Sequence, residues 1–339
     1  LEARRDYALA FDRAGLERVS SGRVLGLFAD SEMDDALTER AAEAAESRTQ
    51  PTLVEMTAKG IELLNQNQHG FFLMVEGAQI DWAGHNNDAG SLLHELLQFD
   101  AAVEVALQFA QQSGDTLVVV TADHETGSFG FSYSGRPLPA GRTIDGTLFR
   151  SAMHQPSFNF APPSVLDRIY AQKKSYYAIF NEFDALPAEQ RTAERLQQLV
   201  NANLSFKITL ADAVQILSRQ PNPNFAEGHR YVGSKTSPKI RDFNAFYVYG
   251  ENLRFNLLGR AIATQQHVVW GAGTHTSTPV ALGAFGPGCE RFAGYYHATE
   301  AGQRMIGRGR GVGGGGWGGG VRGGGGGGRG GGGGGEGGG

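Results

Sequence analysis

Short, unbroken apolar runs alternate with amphipathic stretches over the first third of the chain. "RVLGLFA" (Arg23–Ala29), "FFLMV" (Phe71–Val75) and "DTLVVVTAD" (Asp115–Asp123) read as buried strands, because the apolar residues run on instead of alternating with polar ones. Between the first two, Thr52–Gln66 reads as a helix. Leu53, Met56, Ile61 and Leu64 fall on one face, and Thr52 with Glu55 spells a T-x-x-E capping box. Ser91–Gln112 reads as a longer helix striped by Leu93, Leu96, Leu97, Val103 and Leu107. Strand, helix, strand, helix, strand with continuous apolar strands predicts an α/β fold. Its form is a doubly wound, mostly parallel sheet with helices on both faces.

From about Phe129 to Ser237 the pattern breaks. Pro, Asn and Ser become frequent, and helical patches remain at Ser164–Phe183, Pro187–Val200 and Leu210–Ser218. This segment reads as a surface insertion. Its aromatics, Tyr170, Tyr176, Tyr177, Phe180 and Phe183, suit either a partner-facing surface or the insertion's own small core. Strand character returns at His267–Trp270 and Pro279–Gly286. From Gly307 on, glycine dominates, and a chain with so much backbone entropy to lose and no side chains to bury is expected to be disordered. The expected plan is a core over 1–128, an insertion over 129–237, a second part of the core over 238–306 and a tail over 307–339.

Composition adds mainly exclusions. With 40% hydrophobic and 19% charged residues, the 339-residue chain is that of an ordinary globular protein. A net charge of −5, with no basic run interleaved with aromatics, argues against nucleic acid as a partner. No apolar run has the length of a membrane span. The single cysteine, Cys289, excludes an internal disulfide. The first residues carry neither an initiating Met nor a signal-peptide pattern, and read as the interior of a larger protein.

In doubly wound sheets, ligands collect beyond the carboxyl ends of the strands. Glu76 closes the second apolar run, and Asp123 and His124 ("TADHETG") close the third. Asp81 and His85 follow Glu76 in what reads as a loop, and His275 ("WGAGTHTSTPV") lies on a loop before a late strand. Carboxylate and imidazole together suit zinc, and oxygen alone suits magnesium. Three acids and three histidines suffice for more than one ion. Each residue alone has a plainer reading: a solvated glutamate, a turn-capping aspartate, a loop histidine. Two separate strand ends that both finish in acid and histidine favour a metal site. His94, beside the stripe of the long helix, reads as structural; His69, His154, His229, His267 and His297 read as ordinary surface or core residues.

"GFFLMVEGAQIDWAGH", "VVVTADHETG" and "THTSTPVALGAFGPG" together resemble the three metal-binding segments of the bacterial alkaline phosphatases. "GRVLGLFA" and "PTLVEMTAKGIELL" are similar to segments that precede them in that family, and "DWAGH", with Trp82, resembles its cold-active marine branch. The likeness covers about Arg23–Gly127 and His267–Met305. It implies an exported, periplasmic or secreted, homodimeric phosphomonoesterase that releases inorganic phosphate. It further implies two zinc ions and one magnesium: Asp81, His85 and His275 on the first zinc, Asp123 and His124 on the second, Glu76 on the magnesium. In that family a serine in a D-S-A segment attacks phosphorus, an arginine clamps the phosphate, and water activated at zinc releases the phosphoseryl group.

Neither the serine segment nor the arginine appears in this chain. Asp30-Ser31 in "FADSEMDD" follows "GLFA", where the family has a loop beyond the nucleophile, so Ser31 is not taken as the nucleophile. The expectation is a C-terminal portion of an alkaline phosphatase, inactive or nearly so by itself. A sulfatase, phosphodiesterase or phosphate-transferring mutase shares the two-metal core, but "IDWAGH" with "TADHETG" favours the phosphatase. The missing serine supports a non-catalytic metal-binding chain.

Overall fold

The computed structural model describes residues 6–144, 153–240 and 249–309. The chain divides into two compact units, Leu1–Glu290 and Arg291–Gly339. In the larger unit, β1 (Tyr7–Ala10) leads through α1 (Arg13–Glu17) into β2 (Arg23–Gly26), and the two strands pair in parallel. Helices α2 (Ala36–Ala44) and α3 (Leu53–Leu64) follow. The capping box that opens α3 is complete: Glu55 N–H donates to Thr52 Oγ1 at 3.0 Å, and Thr52 N–H donates to Glu55 Oε2 at 2.8 Å. Next come α4 (Ala78–His85) and the long α5 (Ala89–Ser113), which stops at Gly114 in the left-handed region.

The remaining elements of this unit are β3 (Val118–Val120), β4 (Glu125–Thr126), β5 (Gly130–Phe131), the β6 (Arg142–Thr143) and β7 (Met153–His154) pair, and helices α6 (Ser164–Tyr170), α7 (Tyr176–Asp184), α8 (Ala193–Asn203) and α9 (Leu210–Leu217). They are followed by the paired β8 (Arg219–Pro221) and β9 (Thr236–Pro238), helix α10 (Leu253–Gln266), β10 (Val268–Val269), β11 (His275–Thr276) and β12 (Gly283–Phe285).

Strands and helices alternate as an α/β class requires, but the strand pairing differs from the expected sheet. Among the described strands only β1–β2 is parallel; β12 pairs with β3, β11 with β4 and β10 with β5, all antiparallel. Phe71–Val75, expected as a buried strand, has no ladder among the described residues. Its side chains still alternate. Phe71 meets Phe109 of α5, with ring centroids 5.9 Å apart, and Leu73 packs beside Gly60 of α3, while Phe72 and Met74 are 70% and 68% exposed. One face of the segment is therefore covered by helices and the other is open.

The main core lies elsewhere. Tyr176, Ile179, Phe180 and Phe183 form the inner stripe of α7, at helical i, i+3 and i+4 spacing. They belong to one cluster with Leu196 and Val200 of α8, Ile216 of α9, Leu258 and Ile262 of α10, and Ala89 at the head of α5. Helices α7, α8 and α9, from the segment expected as an insertion, therefore share a core with α10 and α5. Three of its five singled-out aromatics are buried there, and Tyr170 and Tyr177 remain largely exposed. Asp88 locks this junction. Fully buried, it caps α5 by accepting from Ser91 N–H and also accepts from Gln172 Nε2 and from Tyr176 N–H at 2.7 Å. Burial pushes its carboxyl above the usual range, against the pull of those hydrogen bonds.

The smaller unit carries α11 (Ala298–Gly309), in which Arg304 pairs with Glu300 and lies 3.8 Å over the Tyr296 ring. The glycine-rich tail beyond 309 lies outside the described residues. No described helix is long and apolar enough to cross a membrane.

Candidate metal centre

Asp81 and His85, expected on a loop, stand on α4 instead. Their i, i+4 spacing puts both on the same face, one turn apart. That face meets β4 at close range because two glycines allow it. A Cβ on Gly84 would sit 3.1 Å from Thr126, and one on Gly127, whose φ is +86°, would sit 2.8 Å from the Gly84 carbonyl oxygen. Only glycine takes that conformation without strain. β4 in turn pairs with β11, His275 opposite Thr126 and Thr276 opposite Glu125, so His275 enters on a strand and not on a loop.

These three elements bring four of the six candidate ligands together. His85 Nε2 is 3.3 Å from Asp81 Oδ2, and His275 Nε2 is 3.4 Å from Asp81 Oδ1. The two Nε2 atoms are 3.0 Å apart. The His124 ring stacks on His275 with centroids 3.5 Å apart, and Asp81, His124 and His275 each offer a donor atom within 4.8 Å of the others. Asp123, mostly exposed, pairs among the described residues with His124 alone, with Oδ2 3.1 Å from Nε2. Glu76 is exposed and has no side-chain hydrogen bond or ion pair among the described residues. The hydroxyl of Ser31 donates to Glu32, not to any member of the cluster.

The donor set fits a metal ion. Two ligands each about 2.0–2.1 Å from a tetrahedral zinc stand about 3.3 Å apart, close to the 3.0–3.4 Å found here, where Asp81 turns Oδ2 to His85 and Oδ1 to His275. His85 Nδ1 is bonded to the Gly273 carbonyl oxygen at 2.7 Å, so it carries a hydrogen, and Nε2 is the nitrogen left either to share a proton with Asp81 or to bind a cation. Two imidazole nitrogens and a carboxylate facing one another at this range require a proton or a cation between them.

A family model described as alkaline phosphatase matches residues 3–234. The chain belongs to the alkaline phosphatase family. Alkaline phosphatase 3 of Bacillus subtilis is 26% identical over 301 residues, which is 88% of this chain and 52% of that protein. Alkaline phosphatase 4 of the same organism is 43% identical over 129 residues, 38% of this chain and 26% of that protein. The crystal structure of a cold-active alkaline phosphatase from a psychrophilic Shewanella superposes with a TM-score of 0.61 at 25% identity, over 90% of this chain and 60% of that one. The Thermus thermophilus alkaline phosphatase, 22% identical, superposes with a TM-score of 0.62 over 86% of this chain and 53% of that one, and shows the shared fold. The chain spans about half or less of the length of the curated alkaline phosphatases it matches.

In this alkaline phosphatase chain the electrostatics of the cluster are set by its own hydrogen bonds. Burial alone would raise the Asp81 carboxyl. Hydrogen bonds from His85 and from Thr126 Oγ1 at 2.5 Å, with His85 and His275 nearby, hold it below the usual carboxylate range. Burial works against a charged His85, yet Asp81 and the Gly273 carbonyl raise its pKa. His275 moves the other way, lowered by burial and by the two neighbouring imidazoles against the pull of Asp81. The site thus holds one aspartate that stays ionised and one histidine that stays neutral, the forms that bind metal.

Three supporting residues were not legible as such in the sequence. Thr126 links Asp81 to His124, donating to the first and lying 3.2 Å from Nδ1 of the second. Asn256, on α10, donates to the His85 carbonyl oxygen at 2.7 Å. Tyr249 sets its ring edge-on to His85 with centroids 4.8 Å apart. Thr126 had a signal, two residues beyond His124 in "TADHETG"; nothing in the sequence pairs Asn256 or Tyr249 with the centre.

Proposed function

We propose that this chain is the metal-binding portion of a phosphomonoester hydrolase of the alkaline phosphatase type. The observation that carries the reading is the tetrahedral-edge spacing of Asp81, His85 and His275, with the His85 tautomer fixed by Gly273. These three residues would hold the first zinc. His124 and Asp123 would hold the second: with Thr126 already donating to Asp81, the His124 Nδ1 that faces it is the hydrogen-bearing nitrogen, which leaves Nε2 and the Asp123 carboxylate as two bare donors 3.1 Å apart. Glu76 would serve the magnesium. The bound ions would supply Lewis-acid stabilisation of the charge that develops on the phosphoryl oxygens during an in-line displacement.

The chain's own residues prepare that chemistry. Thr126 keeps Asp81 ionised and aimed, Gly273 holds Nδ1 of His85 so that Nε2 is the nitrogen a metal would take, and the His124–His275 stack sets the two halves of the centre side by side. No serine hydroxyl bonds a member of the cluster among the described residues. We therefore assign the nucleophilic serine and the phosphate-clamping arginine to the part of the family fold that this chain does not span, and expect at most a trace of activity from the chain alone. The whole protein would act on phosphomonoesters, release inorganic phosphate, work as a homodimer and be exported to the periplasm or beyond. The missing serine also suits a second reading, a metal-binding chain without catalysis.

The test measures zinc and magnesium content together with hydrolysis of p-nitrophenyl phosphate and of its bis-ester at alkaline pH. Bound zinc with negligible turnover supports the reading. Absence of zinc overturns it. Strong turnover of the mono-ester contradicts the assignment of the serine, and a preference for the bis-ester moves the chain to a phosphodiesterase.

A further inference from the structure

The two halves of the centre come from segments 190 residues apart in sequence, and one buried asparagine joins them. Asn87 follows the C-cap residue of α4, Asn86. Its side-chain Nδ2 donates to the Gly84 carbonyl oxygen at 3.0 Å and to the Ala272 carbonyl oxygen at 2.8 Å, so a single carboxamide links the end of the helix carrying Asp81 and His85 to the turn that leads into His275. The link is built at a cost. Asn87 is fully buried, its φ is +54°, and its Oδ1 has no hydrogen-bond partner among the described residues. Left-handed backbone and an unpaired buried oxygen both disfavour the folded state, and such features gather where geometry must be held for function.

A second element braces the link from behind. On α10, Asn256 donates to the His85 carbonyl oxygen, and Gly259 lies so close that a Cβ there would stand 2.6 Å from the Asn87 carbonyl oxygen. Asn256 is itself buried and one helical turn from Gly259, so both act on the same stretch of backbone. Together, the side chains of His85 and Asn87 tie this stretch to the carbonyls of Gly273 and Ala272, while α10 holds its backbone through the Asn256 hydrogen bond and the close approach of Gly259.

We propose that Asn87, braced by Asn256, is a positioning residue of the metal centre: it sets the separation of the His85 and His275 nitrogens and thereby selects a tetrahedral divalent cation. This rests on the zinc reading above. Neither asparagine touches the ion; each acts through the backbone of a ligand.

The experiment uses the purified chain with zinc and with cobalt(II) as probes. Zinc affinity is measured by competition with a chromophoric chelator, and cobalt(II) visible absorption reports coordination geometry. Asn87→Gly keeps the left-handed backbone and removes both donors. We expect zinc to bind at least tenfold more weakly and the intense tetrahedral cobalt bands to fade. Ile61→Ala, buried on α3 and outside the main core cluster, gives the comparison: it lowers the urea midpoint yet leaves zinc affinity within twofold and the cobalt spectrum unchanged. If Asn87→Gly does not fold, Asn256→Ala is read the same way. Unchanged affinity and spectrum in the variant, with zinc bound by the parent chain, overturn the positioning role alone. A parent chain that binds neither metal overturns the zinc reading, and the positioning role with it.

Discussion

The hydroxyl of Thr126 donates to Asp81 Oδ1 at 2.5 Å, across the contact that Gly84 and Gly127 open between α4 and β4. Removing that hydroxyl by Thr126→Val leaves the shape of the strand residue but frees the carboxylate. A hydrogen bond to a charged group contributes about 1.5–3 kcal/mol, so zinc affinity should fall roughly tenfold or more. Thr126→Ser should restore it. Chelator competition on the two variants checks this; equal affinity for Val and Ser would deny Thr126 its role.

Asp81→Asn and His275→Ala should each reduce the bound zinc by one ion per chain and leave the fold intact, since both side chains are partly exposed and neither lies in the main core. Metal analysis after dialysis, with far-UV circular dichroism, gives the answer. Loss of helix in either variant would mean that the residue holds structure first.

Opposite pH dependences are expected for the metal-free and the loaded chain. The pKa of His85 is raised in the folded state, so its contribution to stability is present at low pH and is lost as pH rises through that raised value. The same proton competes with zinc, so zinc affinity should climb over the same interval. Urea midpoints of the metal-free chain and zinc titrations, both from pH 5 to 9, should slope in opposite senses. Parallel slopes would show that His85 is not the titrating ligand.

Glu95 gives a second pH effect, away from the centre. Buried on α5 and accepting from Ala36 N–H, its carboxyl is pushed up to about 7, first of all by burial. The folded chain therefore binds a proton there that the unfolded chain has already released between its ordinary pKa and 7, so stability falls as pH rises across that window. Glu95→Gln keeps the hydrogen-bond acceptor and removes the charge. It should stabilise the chain by on the order of 2 kcal/mol at pH 8 and by almost nothing at pH 4.5. Denaturation at the two values measures the difference directly.

Phe180→Ala should cost about 3–5 kcal/mol, because the ring is 1% exposed and packs between α7 and Phe255 of α10. The loss should also weaken zinc binding, since α10 is the helix that braces His85. A stability loss confined to the insertion, with the centre untouched, would show that the shared core is not mechanically continuous.

The candidate ligands could be picked out because acid and histidine follow two separate apolar runs, a pattern visible without any knowledge of pairing; the structure brings Asp81, His85, His124 and His275 together and leaves Glu76 apart. Their local structure was less so. Asp81 and His85 looked like loop residues because "GAQIDWAGHNN" begins and ends in breakers, yet their i, i+4 spacing is the helical feature that the structure realises. Phe71–Val75 looked like a buried strand from its composition; the structure covers only its Phe71 and Leu73 face, since burial depends on what lies opposite and not on the run itself. The aromatics of the insertion were open to two readings because helical periodicity marks an inner stripe without naming what it packs against. The core cluster with α10 supplies that partner for Tyr176, Phe180 and Phe183.

The antiparallel pairing of β4 with β11 also has a consequence in time. The 151 residues between Glu125 and Thr276 take roughly 8–30 s to synthesise at about 5–20 residues per second. For that interval a growing chain carries Asp81, His85, Asp123 and His124 without His275, and without the helix that braces them. Metal captured then would meet an incomplete coordination sphere and exchange freely. The centre can tighten only after β11 has found β4, which makes metal loading a late event in the life of the chain.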